Sequence, residues 1–263
     1  MNQFISSVFL ILTMIQGQGP GNVSSDTVTP NSVIRFTDND ITKALQGAWG
    51  STVTDEKGDR ITATKIIMDG YMAVAYYNEQ TGDFIKTYGG HWTVDQNSMS
   101  LTVEFSSADK AMVGKTISSE FEFSEDQKIL TSEDIKWNRI DQGKGHGLNG
   151  AWLITGRKRD GQLTRSTPGD RKTMKILSGT RFQWIAYNTA TGAFFGSGGG
   201  TYSAKDGTYT ENIEFFSRDN KRVGAQLNFH YEIKEKEWHH SGLSSKGDPI
   251  YEIWSPRIMP VKN

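Results

Sequence analysis

The chain repeats itself, and that repeat limits what it can fold into more than any other feature. "LQGAWG" at 45–50 returns as "LNGAWL" at 148–153, and "YYNEQTGDFIKTYGGHW" at 76–92 returns as "AYNTATGAFFGSGGGTY" at 186–202. "VEFSSADKAMVG" at 103–114 returns as "IEFFSRDNKRVG" at 213–224, and "IKWNR" at 135–139 has its counterpart in "EIWSPR" at 252–257. The two copies are joined by the glycine-rich "DQGKGHG" at 141–147. A period of roughly 105 residues is too long for a solenoid unit, so each copy reads as a domain with its own core.

Within each copy the pattern is strand and turn. "SLTVEFS", "ISSEFEF" (117–123) and "LNFHYEI" (227–233) alternate as half-buried strands do. "NEQTGDF" and "NTATGAF" are hairpin signals in which Gly82 and Gly192 supply a positive φ. Glycine is frequent (28), proline is not (6), and aromatics make up 11% of the chain, a mix that suits short strands and tight turns. Helical spacing is confined to the N-terminal leader and "DNDITKAL" (38–45). The expected fold is all-β: two tandem antiparallel up-and-down β-barrels of about eight strands each, at 41–140 and 148–260.

Gly47-Ala48-Trp49 and Gly150-Ala151-Trp152 resemble the G-x-W that opens lipocalin barrels, where an Arg near the last strand packs across the Trp. Arg139 and Arg257, shortly after Trp137 and Trp254, stand where that resemblance places the cation–π partner. Both copies are similar to secreted lipocalin-like (calycin) proteins of uncharacterised Bacteroidetes type. Unlike the lipocalins of the usual pattern, they have no disulfide and are shorter.

The apolar run from Phe4 to Ile15, followed by small and polar residues, is too short to span a bilayer and fits a signal-peptide core, with cleavage near Gly17 or Gly19. The expectation is a signal peptide over 1–19, a tail over 20–40 and a secreted or periplasmic product. Cysteine is absent, which excludes a disulfide scaffold, thiolate metal ligands and a lipoprotein anchor. Asn22 lies in a glycosylation sequon within that tail. The formal net charge of −1 leaves no electrostatic footprint for nucleic acid, and no other apolar run is long enough for a membrane span.

Comparing the copies assigns faces, because alternate residues of a barrel strand point inward. Met99, Leu101, Val103 and Phe105 form an apolar row expected in the interior; the matching row is Tyr209, Glu211, Ile213 and Phe215. Glu211 therefore stands where a leucine belongs. On the closing strand Ile135 and Trp137 correspond to Glu252 and Trp254, so Glu252 departs in the same way. A buried carboxylate has to be paired, protonated or facing a wet cavity. Arg181, whose counterpart is Tyr71, is the expected partner, although either Arg181 or Phe182 could face inward. Trp184, Tyr202, Tyr209 and Trp238 are candidates for hydrogen bonds and a stacking wall.

Other motifs carry less. "GSGGGT" (196–201) lacks the Lys-Ser/Thr ending of a phosphate loop and reads as a bulged or closely packed strand. His230 alternates outward, and the adjacent His239 and His240 cannot both face one interior; no metal site or nucleophilic triad is indicated. The segment 156–175, with seven Lys or Arg against two Asp, reads as a solvated hairpin or loop, or as an anion-attracting mouth of the second barrel. The functional expectation is a binding protein for a small, partly apolar molecule carrying a polar or cationic group. That molecule would be held in the second barrel by Glu211, Glu252 and Arg181 among the aromatics, with no cofactor. The alternatives are a structural or interaction module with filled barrels, or an enzyme using Glu211 as general acid or base.

Overall fold

The structure, a computed structural model, describes residues 37–145, 147–244 and 247–258. The expected signal peptide, most of the tail with its sequon, and His146 lie outside the described residues. The described chain opens with α1 (Asp38–Leu45). Thr37 caps it: its hydroxyl accepts from the Asp40 amide while the Asp40 carboxylate accepts from the Thr37 amide, satisfying donors the first turn leaves open. Ile41 and Leu45 turn its apolar side onto the first barrel.

That barrel is an antiparallel meander of β1 (Gly47–Thr54), β2 (Arg60–Met68), β3 (Tyr71–Asn78), β4 (Phe84–Asp95), β5 (Ser98–Ser106), β6 (Thr116–Phe123), β7 (Ile129–Ser132) and β8 (Ile135–Asp141), closed by β8 against β1. The second barrel repeats it with β9 (Gly150–Arg159), β11 (Arg171–Leu177), β12 (Arg181–Asn188), β13 (Phe194–Lys205), β14 (Thr208–Phe216), β15 (Gln226–Lys234), β16 (Glu237–Leu243) and β17 (Pro249–Pro256), closed by β17 against β9. The extra length at 156–175 becomes a hairpin, β10 (Gln162–Arg165) folding back on the end of β9 around Asp160-Gly161. The fold is thus two closed eight-stranded barrels in tandem.

The two G-x-W segments begin alike: Trp49 Nε1 donates to the Leu45 carbonyl and Trp152 Nε1 to the Leu148 carbonyl, each at 2.9 Å. Arg139 lies 3.9 Å over the Trp49 ring and donates to the carbonyls of Ala44, Gln46 and Gln127, sealing that end of the barrel. Arg257 does not repeat this. Its guanidinium stacks at 3.9 Å on Tyr71 of the first barrel and binds Glu104 through two hydrogen bonds. One additional residue after Trp254 carries it past its own Trp152 into the neighbouring barrel.

The two barrels pack on one another through equivalent surfaces. Tyr77 donates to Glu214 at 2.7 Å, and its counterpart Tyr187 donates to Glu104 at 2.7 Å. Tyr77 faces Phe215 with centroids 5.0 Å apart, and Tyr187 faces Phe105 at 5.1 Å. Phe84 stacks on its own counterpart Phe194 at 6.1 Å. This is the self-complementary pattern of a two-fold dimer, built here within one chain.

Phe105 and Phe215 correct the expected interior rows. A bulge opposite Gly89 and Gly90, and again opposite Gly199 and Gly200, shifts the strand by one residue after Val103 and Ile213, turning both phenylalanines onto the interface. Gly200 permits the bulge. Its φ is +155°, and a Cβ there would stand 2.0 Å from the Asn212 carbonyl oxygen. "GSGGGT" is accordingly a closely packed strand.

The joint between the barrels is held tightly. Asp141 accepts hydrogen bonds from the amides of Gly143, Gly179 and Thr180 and from the hydroxyls of Ser178 and Thr180. Burial alone would raise its pKa, but these donors together hold it below the ordinary aspartate value.

Candidate functional site

Both glutamates singled out by the copy comparison face the interior of the second barrel. Glu211, on β14, is 4% exposed. Its partner is Lys175 of β11, whose Nζ lies 2.7 Å from the carboxylate, and Tyr209 donates to the same oxygen at 2.9 Å. Arg181 is not that partner. The β11–β12 register puts Phe182 and Trp184 on the inner face and turns Arg181 outward, where it pairs with Glu214 at the barrel interface.

Lys175 sits in an aromatic cage. Its ammonium is 4.9 Å from the Trp238 ring, 5.0 Å from Tyr209 and 5.3 Å from Trp254. Burial and the neighbouring Glu211 charge push the Tyr209 phenol well above its ordinary pKa, so it remains a donor. Tyr202 packs on Tyr209 and donates to the Ser178 carbonyl at 2.6 Å. Trp184 meets Phe216 edge-on at 5.4 Å, in space left by Gly198.

Glu252 lies on the same inner face, opposite His240 on β16 and Arg157 on β9. His240 Nδ1 is 3.5 Å from its carboxylate, and Arg157 Nε is 3.4 Å away. Burial raises the carboxyl, but His240, Lys175 and Arg157 outweigh it and hold Glu252 below the ordinary glutamate value. His240 is buried, and desolvation, aided by the Lys175 charge, lowers its pKa, so the ring is neutral near pH 7. Its Nε2 has no hydrogen-bond partner among the described residues. The second barrel therefore holds two cations against two carboxylates.

Lys175 and His240 were not singled out from the sequence, nor was Lys65, the counterpart of Lys175 in the first barrel. Lys65 follows Ile61 and Ala63 and precedes Ile67 on the inner face of β2, while Thr64 and Ile66 face outward; all are buried. A lysine at the same place in both copies, in line with inward apolar residues, was the available signal. In the first barrel Leu101 replaces the glutamate, so Lys65 lacks a carboxylate within ion-pair distance among the described residues. Its Nζ lies 4.1 Å over the Trp137 ring. Burial lowers its pKa from 10.5 to about 8, with Glu133 pulling weakly the other way.

A ligand-sized opening lies elsewhere. A groove of about 540 Å³ runs between the barrels on the side of the Arg181–Glu214 pair. Tyr77, Thr52, Thr62, Asn138 and Val223 also line it. Across the pseudo-dyad, Arg257 and Glu104 occupy the equivalent contact.

Taken together, these features define a protein of two tandem closed eight-stranded antiparallel barrels, an architecture that fits a lipocalin-like fold. Residues 147–263, the second barrel, match the family model described as Domain of unknown function (DUF4488). No curated protein matches the chain. Among the described residues no helix is long and apolar enough to cross a membrane.

Proposed function

We propose that this is an exported small-molecule binding protein whose ligand sits in the groove between the barrels. The observation that carries the reading is the groove itself: about 540 Å³ falls in the range of ligand sites, and a few convergent polar groups line it. The Tyr77 hydroxyl, the Arg181–Glu214 pair and the Asn138 amide offer donors and acceptors of both charges, while Val223 and Ile213 supply apolar wall. This chemistry suits a small polar or zwitterionic molecule with an apolar part. Export rests on the apolar run at 4–15, and the narrower kinship to secreted calycin-type proteins rests on the G-x-W segments and Arg139.

A second reading keeps the ligand at the second barrel, with Glu211, Glu252, Tyr209, Tyr202, Trp184 and Trp238 around it. Its support is His240, whose Nε2 is buried without a partner near the partly open Glu252. Native mass spectrometry of protein purified from its own host separates the two. Thr62→Trp fills the groove from the outer face of β2, and His240→Leu removes the orphaned ring. Loss of a co-purifying small molecule in Thr62→Trp alone supports the groove; loss in His240→Leu alone supports the barrel. Wild-type protein that carries nothing and binds no member of a metabolite library would sink both.

A further inference from the structure

We propose that the first barrel is a site for a small monovalent anion of halide size, held against the ammonium of Lys65. The argument starts from the repeat. Lys65 and Lys175 occupy the same interior position, each above the tryptophan of its closing strand. The second barrel supplies a carboxylate to its lysine at 2.7 Å, whereas Leu101 in the first barrel cannot. Lys65 is only 5% exposed, and a cation that deep needs a counter-charge or must give up its proton.

Beside the lysine there is a void. It measures about 20 Å³ and is lined by Lys65, Leu101, Tyr88, Ser119, Ser132 and Glu133 together with methionine and isoleucine side chains. That is room for one atom somewhat larger than water, and too little for sulfate or a longer carboxylate. Ser119 and Ser132 hydroxyls lie 3.4 Å apart on neighbouring strands and can both turn their protons toward an anion. The Trp137 ring, 4.1 Å from the ammonium, is not among the residues that line the void.

The titratable groups that bear on this site are few. Glu133, exposed at the rim, favours the protonated amine. Tyr88 and Tyr76 are held neutral by burial, which raises both phenols. The lowered pKa of Lys65 leaves the amine mostly charged at pH 6.5, where anion binding is strongest, and an anion beside it would raise that pKa again.

The test uses the full chain in gluconate buffer at pH 6.5, with chloride or bromide replacing gluconate at fixed ionic strength. Wild type should rise in melting temperature with halide, sulfate should not substitute, and a bromide-soaked crystal should show an anomalous peak beside Lys65 Nζ. Two variants isolate the site. Lys65→Met removes the cation, and Leu101→Glu supplies the internal carboxylate that the second barrel already has. Each should weaken the apparent halide affinity at least tenfold. An equal halide response in wild type and both variants would mark a general salt effect and overturn the proposal, as would a wild type with neither a halide response nor a bromide peak.

Discussion

Replacing Glu211 with leucine converts the interior of the second barrel to that of the first, and the first barrel supplies the expected magnitude. Lys65, unpaired in its interior, has a pKa lowered from 10.5 to about 8. With each pKa unit equivalent to 1.36 kcal/mol, holding that lysine charged in the folded state costs about 3 kcal/mol. Glu211→Leu places Lys175 in the same position and also removes the acceptor of the Tyr209 hydroxyl. A buried donor without its partner costs about 1–3 kcal/mol more, and the apolar contacts of the new leucine offset part of the total. The expected loss is about 3–5 kcal/mol, within the range seen when one partner of a buried ion pair is removed. Lys175→Met in the same chain should restore most of it. The sign with pH follows from Lys65: the charging share of the loss is full while a buried lysine is protonated in both states and fades as pH rises toward 10.5, whereas the Tyr209 share persists. Urea unfolding followed by tryptophan fluorescence and far-ultraviolet circular dichroism at pH 7 and pH 10 measures both effects. A single variant that loses less than about 1 kcal/mol, or a double variant no more stable than the single, would refute the pairing argument.

Lys65→Met should stabilise the chain in chloride-free buffer by about 1–3 kcal/mol at pH 7, the removed charging cost less the lost contact with Trp137, with the gain shrinking near pH 10 in urea unfolding. Arg257→Met breaks a buried two-bond pair with Glu104 and leaves that carboxylate against Tyr187; a loss of about 3 kcal/mol in global unfolding is expected, and a neutral result would show that this ion pair adds nothing to stability. Asp141→Ala removes the acceptor that ties the β8 end to the turn before β12. Because the Asp141 pKa is lowered on folding, its contribution is present above its ordinary value of 3.8 and lost as pH falls through the lower folded value; the variant should therefore differ most from wild type near neutral pH and converge with it in acid-unfolding curves.

The strand count, the closure and the inward position of Glu211 were legible because the chain carries its own control, a second copy with leucine at the same place. The ion pair was not. Arg181 looked available because its strand is apolar on both alternating rows, and that is what a strand with interior on one side and a second barrel on the other must look like. Lys65 and Lys175 stayed hidden for another reason: β2 (RITATKIIM) and β11 (RKTMKIL) mix polar and apolar residues on both rows, and Lys175 closes a basic stretch that reads as a solvated loop. Phe105 was misplaced for a different reason. Alternation assumes an unbroken register, and the bulge opposite Gly89 and Gly90 inserts one residue. The doubled glycine in "YGGHW" was the local sign of that bulge.

What the two copies share and where they differ now have separate physical causes. An interface with approximate two-fold symmetry presses the same patch of each barrel against its counterpart, so both copies need the same outward residues. Tyr77 and Tyr187, Glu104 and Glu214, Phe105 and Phe215, and Phe84 and Phe194 are such pairs, and each stands at the interface. The interiors answer to no such constraint, because each lysine meets only its own barrel: one pairs with Glu211 inside a ring of aromatics, the other lies beside Leu101, a void and two serines. The groove lies at one of the places where the outward residues diverge. Arg257 reaches across to Glu104 on one side of the axis. On the other side Arg181, replacing Tyr71, holds Glu214 from within its own barrel and leaves the space between the barrels open. A ligand in that groove would thus exploit a departure from two-fold symmetry: Arg139, held on Trp49, does not reach across as Arg257 does.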